Sequence, residues 1–125
     1  MIDVTAAIIE KQGLLLITRR SVDKHLGGMW EFPGGKLELN ESLEECLERE
    51  IKEELGIKIQ VMKLLAVNDY RYEKGSIRLH AFRANFVEGE ITLKDHDEYQ
   101  WTPKTDLDKY EFAPADIPFV NMLKE

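Results

Sequence analysis

The stretch Gly35 to Ile57, GKLELNESLEECLEREIKEELGI, decides how this chain is read. Ser42 with Glu45 three residues on has the form of a capping box, and Gly56 after Leu55 is suited to a left-handed helix stop. The stretch therefore predicts a loop feeding a helix over Leu43 to Leu55. At about 100° per residue, Leu43, Leu47, Ile51 and Leu55 fall on one apolar stripe, with Glu50, Glu53 and Glu54 in an arc beside it. Glu48 and Lys52 point the other way, toward solvent.

Acids that overlap a buried edge need a partner, because a half-buried carboxylate without one is costly. Oxygen ligands converging from one helix suit a hard divalent cation, Mg²⁺ or Mn²⁺, which binds a few carboxylates and keeps positions for water and phosphate.

Gly35, Glu41, Arg49, Glu50, Ile51, Glu53, Glu54, Gly56 and Ile57 stand at the spacing of the Nudix box, and the stretch resembles the signature of the Nudix hydrolases. The likeness extends beyond the box. Ile17-Thr18-Arg19-Arg20, the run Trp30 to Lys36 and the run Phe112 to Pro118 all resemble the MutT-like branch, and the last is most similar to bacterial CTP pyrophosphohydrolases.

With 125 residues, one domain spanning residues 1–125 is expected. No run approaches the length of a membrane span, and MIDVTAAIIE carries acid where a signal peptide needs base, so the reading is cytoplasmic. Cys46 is the sole cysteine, which excludes an internal disulfide, and its place on the helix reads as a core thiol. A net charge of −7 argues against a nucleic-acid polymer as partner. It leaves nucleotides open, because bound cations can carry the attraction for phosphate.

The rest of the chain is strand-rich. Residues 2–9 and 14–20 read as a hairpin turning at Glu10 to Gly13, and Trp30-Glu31-Phe32 as a short strand entering a tight turn at Pro33-Gly34-Gly35. Ser21 to Met29 reads as a mobile loop near a site entrance, with His25 a solvated residue in it. Lys58 to Asn68 and Ile77 to Val87 carry strand patterns joined by a turn over Arg71 to Ser76. Lys94 to Trp101 reads as an acidic loop followed by a short strand. One short helix is expected over Pro103 to Tyr110 and a last one over Pro114 to Leu123. The expected architecture is α+β, an α/β/α sandwich with a mixed β-sheet flanked by helices, the Nudix fold.

The resemblance also implies roles. Glu50, Glu53, Glu54 and the Gly34 carbonyl would hold the metal. Arg20, Phe32, Gly35, Lys36 and Asp116 would line the substrate site, Phe32 as a wall of the base pocket and Asp116 where MutT has a base-reading asparagine. Simpler readings stand beside these: Arg19 and Arg20 as a salt-bridged surface pair, Phe32 as core packing, and Asp116 as an acid favoured by a helix dipole. Family members place a further acid near residue 95. Asp95 and Glu98 both qualify, and alignment on Trp101 favours Asp95. Glu53, Asp95 and Glu98 are thus the candidate catalytic acids, with Glu41 and Arg49 as supports, Arg49 lying one turn before Glu53.

The activity implied is Mg²⁺-dependent hydrolysis of a nucleoside triphosphate to monophosphate and pyrophosphate, acting on cytosine nucleotides, by a monomer or homodimer. An 8-oxo-dGTP diphosphatase is the alternative within the enzyme class. A non-catalytic nucleotide-sensing module is the alternative outside it, and intact box acids argue against that. An ADP-ribose or dinucleoside polyphosphate hydrolase is a further possibility.

Overall fold

A computed structural model describes residues 1–125. Strands β1 (Ile2–Lys11), β2 (Leu14–Arg20), β3 (Trp30–Glu31), β4 (Gly34–Lys36), β5 (Lys58–Tyr72), β6 (Gly75–Glu88) and β7 (His96–Thr102) share one mixed sheet. Its order is β3-β2-β1-β6-β5, with β4 paired to β1 and β7 to β2. Only β1 and β6 run parallel, from Ile2 opposite Ile77 to Glu10 opposite Asn85.

Strand alternation divides the interior in two. Ala6, Ile8 and Ile17 face one core, with Phe32, Phe112 and the last helix, α2 (Ile117–Lys124). Ala7, Ile9 and Leu16 face the other, closed by Leu47, Ile51 and Leu55 of helix α1 (Leu43–Leu55). This is the α/β/α sandwich read from the sequence. Helix α1 begins and ends where expected. Ser42 Oγ accepts from the Glu45 amide at 3.0 Å, Glu45 Oε1 accepts from the Ser42 amide at 2.8 Å, and Gly56 takes φ 72°.

Several boundaries differ from the sequence reading, each for a local reason. The first hairpin turns on Gln12 and Gly13 alone, both left-handed at φ 51° and 79°, the geometry that matches strand twist in a two-residue turn. β5 and β6 pair out to Tyr72 opposite Gly75, which leaves a turn of Glu73-Lys74 where a longer one was expected. Pro33-Gly34-Gly35 is not a tight turn. Gly34 to Lys36 is extended and pairs with Val4 to Ala6 of β1, a close approach that glycine permits, since a Cβ on Gly34 would collide with the Thr5 carbonyl.

The acidic loop is short, since β7 starts at His96, opposite Arg20 across a bulge between Arg19 and Arg20. Lys104–Lys109 and Pro114–Asp116 are 3₁₀ turns, and α2 begins only at Ile117. The late segment is drawn back onto β3: the Trp30 amide donates to the Glu111 carbonyl at 2.8 Å and the Ala113 amide to the Trp30 carbonyl at 2.9 Å. That pairing sets Asp116 beside Phe32.

Candidate active site

A cleft of about 500 Å³ runs from α1 to the 3₁₀ turn at Pro114–Asp116. Glu50, Glu54, Gly34, Gly35, Lys36 and Asp95 line one end; Phe32, Tyr72, Leu79, Ala115 and Asp116 line the other; Arg20, Glu31 and His96 lie on its walls as well.

At the acidic end, Arg49 is the organiser. Its Nε and Nη2 donate to Glu41 at 3.0 and 2.7 Å, and Nη1 donates to Glu50 at 2.8 Å and more distantly to Glu53 at 3.3 Å. The guanidinium holds Glu41 at about 2, well below the usual carboxylate range. Glu41 also accepts from the Glu38 amide at 2.8 Å, so it ties the loop to the helix. The support roles read for Glu41 and Arg49 have this geometry, although Arg49 grips Glu41 and Glu50 more closely than Glu53. Glu53 stands 59 % exposed outside the cleft lining, at the outer edge of the helical arc and not over the buried edge.

Glu54 is the contrasting acid. Its Oε2 is buried without a hydrogen-bond partner, and burial, reinforced by Glu50, Glu31, Asp95 and Glu53, pushes its carboxyl up to about 8. Gly35 lies against the neighbouring Glu50, where any Cβ would overlap the carboxylate. No three His, Cys, Asp or Glu side chains converge into a ready-made cation cluster. A buried acid oxygen without a donor, beside a second acid packed on side-chain-free backbone, nevertheless fits a hard cation arriving with its own charge.

The structure separates the remaining candidate acids. Asp95, held by Ser21 Oγ donating to its carbonyl at 2.8 Å, lines the cleft at its rim. Glu98 sits along β7 outside the cleft, 3.4 Å from Arg19 and accepting from Gln100 at 2.9 Å. Arg19 also binds Asp97 at 2.7 Å, so Arg19 forms the surface ion pairs while Arg20 faces the cleft. Cys46 is buried among Thr5 and the Gly35 and Lys36 carbonyls, and burial pushes its thiol up.

At the other end, Phe32 is both core and wall: it is buried, packs on Phe112 at 5.3 Å between centroids, and lines the cleft. Asp116 is 4 % exposed and stands at the N-cap position of α2, where its side chain makes no capping bond. Burial and the Glu31 charge push its carboxyl well above the usual range, against the Phe32 amide and Arg20. With a proton Asp116 is both donor and acceptor, whereas an ionised carboxylate offers acceptors only. His25 is exposed yet not merely solvated, since its ring meets Tyr72 edge-on at 5.3 Å and its carbonyl accepts from Arg20 Nε at 2.7 Å.

Sequence reasoning missed Glu31, Tyr72 and His96. An acid between Trp30 and Phe32 in a strand was a usable signal for Glu31. Nothing local marked Tyr72 or His96, which enter through strand pairing.

A mixed sheet clasped by a box helix, with its acids opening on a cleft, defines a Nudix protein, and the chain belongs to that family: the NUDIX domain model matches residues 1–123. The CTP pyrophosphohydrolase of Escherichia coli (strain K12) is 38% identical over 120 residues, covering 96% of this chain and 89% of that protein. The 8-oxo-dGTP diphosphatase of the same organism is 34% identical over 110 residues, covering 88% and 85%. The solution structure of the E. coli ORF135 protein matches with a TM-score of 0.86 at 38% identity, over 97% of this chain and 86% of that one. The MutT protein from Methanosarcina mazei Go1 gives 0.87 at 26% identity, over 98% and 91%.

Proposed function

We propose that this protein hydrolyses nucleoside triphosphates to monophosphate and pyrophosphate, with cytosine nucleotides as preferred substrates, drawn from the free cytoplasmic pool. One observation carries the reading: a single cleft joins the box acids at one end to a buried Asp116, its carboxyl pushed well above the usual range, at the other. The E. coli relative named as a CTP pyrophosphohydrolase supports the same choice.

Glu50, Glu54 and the Gly34 carbonyl are the proposed holders of Mg²⁺, or Mn²⁺, with Glu53 at the rim. When bound, such an ion neutralises phosphate charge and lowers the pKa of a bound water. Arg49 keeps Glu50 aimed while leaving Glu54 free. Arg20, Lys24 and Lys36 supply cationic side chains along the path of the phosphates. Of the candidate bases Glu53, Asp95 and Glu98, only Asp95 lines the cleft, and it is the proposed acceptor of the water proton.

Base choice follows from Asp116. A carboxylic acid bonds most strongly to a basic acceptor, and cytosine N3 is such a nitrogen, next to an N4 amine that donates back to the other carboxyl oxygen. Uracil has no comparable basic site. The same donor and acceptor also fit guanine N1–H and O6, which makes 8-oxo-dGTP the second reading, in line with the relatives named as 8-oxo-dGTP diphosphatases. The test is a panel of ordinary and oxidised nucleoside triphosphates with Mg²⁺, ranked by kcat/KM with products identified. The highest value for CTP or dCTP, with pyrophosphate as product, is expected. A higher value for 8-oxo-dGTP selects the second reading, and no hydrolysis of any member defeats both.

A further inference from the structure

Glu31 is held by two partners: Oε1 accepts from Arg20 Nη1 at 2.9 Å, and Oε2 lies 2.9 Å from His96 Nε2. The two anchors differ in kind. Arg20 is partly exposed, at 29 %, is shared with the His25 carbonyl, and is the one arginine lining the cleft, so phosphate oxygens compete for it. His96 is 5 % exposed and packed in place at the start of β7.

Facing a carboxylate oxygen, the His96 ring places its proton on Nε2. That leaves Nδ1 buried with no partner, an arrangement that costs stability and that an apolar ring would avoid. Packing alone does not explain a histidine there. What histidine supplies, and an apolar residue cannot, is the donor to Glu31. Glu31 itself lines the cleft, next to Phe32 and together with Glu54 and Asp116.

We propose that His96 is a positioning residue that fixes the Glu31 carboxylate in the nucleotide cleft when Arg20 is drawn to an incoming nucleotide. His96 touches no reacting atom; it acts through Glu31 on substrate binding. The inference rests on the nucleotide-hydrolase reading for its kinetic consequence, and on the His96–Glu31 pair alone for its structural one.

The experiment compares His96→Gln and His96→Asn in the parent and in a Glu31→Ala background, with CTP as substrate, alongside NMR of the His96 ring. The glutamine amide nitrogen reaches the place of Nε2, so His96→Gln should keep KM within about threefold of the parent. Asparagine is too short to reach Glu31, so His96→Asn should raise KM about tenfold with kcat changed less than about threefold. In the Glu31→Ala background His96→Asn should add nothing. An unchanged KM in His96→Asn, or the same penalty in both backgrounds, overturns the proposal. The NMR arm needs no turnover and holds even where His96→Asn does not fold. It should show an Nε2-bound proton protected from exchange in the parent and unprotected in Glu31→Ala; a proton on Nδ1, or protection unaffected by Glu31→Ala, overturns it. Failure of the parent to hydrolyse CTP or any other triphosphate counts against the functional reading and leaves the ring measurement to judge the pair.

Discussion

The proposed roles of two carboxyls, Glu54 and Asp116, are opposite uses of the same chemistry. Burial and neighbouring acids push both upward, Glu54 to about 8 and Asp116 well above the usual range. In the proposed function Glu54 would give up its proton to an arriving cation, while Asp116 would use one to bond a base. Glu54→Gln should therefore keep the fold, with a Tm no lower than the parent, and lose at least about 10²-fold in kcat, because an amide cannot supply the anionic ligand. Near-parental turnover at saturating Mg²⁺ would remove Glu54 from the metal set. Asp116→Ala should raise KM more than it lowers kcat, since the base lies far from the reacting phosphorus, and CTP over UTP discrimination should shrink by about 1–3 kcal/mol. Competition assays with both nucleotides read that ratio directly, and an unaltered preference would detach Asp116 from base choice.

At the level of elements, the site depends on strands that approach closely and on one strand that begins where it does. Gly34 and Gly35 sit side by side in β4 with different neighbours. Gly34→Ala would drive a methyl into the Thr5 carbonyl of β1, which cannot step aside, so a loss of about 3 kcal/mol in a urea melt is expected. Gly35→Ala meets the Glu50 carboxylate instead, a side chain that can swing away, so activity should fall while stability changes by less. Strand β7 separates Asp95 from Glu98 in the same way. Asp95→Ala should cost more in kcat than Glu98→Ala and should alter the pH profile; equal small losses would move the base role to Glu53. Helix α1 was legible in the sequence because its cap, stop and stripe are all local: Ser42, Gly56 and the leucines are near neighbours in the chain. His96 and Tyr72 were not, because strand register brings them in from far along the chain, as at Arg20 opposite His96. The burial of Asp116 was also out of reach, since it belongs to a segment drawn onto β3 by the Trp30 to Ala113 pairing.

For the whole molecule, the two raised carboxyls set how stability follows pH. A group with a folded pKa above its unfolded value binds more protons when folded, so stability declines as pH rises from the unfolded value through the folded one. For Glu54 the window runs from 4.5 to about 8, and for Asp116 it opens at 3.8 and extends well upward. Glu41 and Asp69 have lowered values, so their contribution is present above the unfolded pKa and is lost only as pH falls below it. Between about pH 5 and 8 their contribution is level, and the slope belongs to Glu54 and Asp116. Metal-free protein should thus have a lower Tm at pH 8 than at pH 5. Adding Mg²⁺ should restore the part due to Glu54, because an ion bound only by the folded state stabilises it and favours the ionised acid. Asp116→Asn should remove the other part, since an amide needs no proton to stay neutral. Tm scans of the parent and of Asp116→Asn across this range, each with and without Mg²⁺, separate the two contributions. A Tm in metal-free parent that is flat or rising from pH 5 to pH 8 would show that neither carboxyl holds its proton when folded.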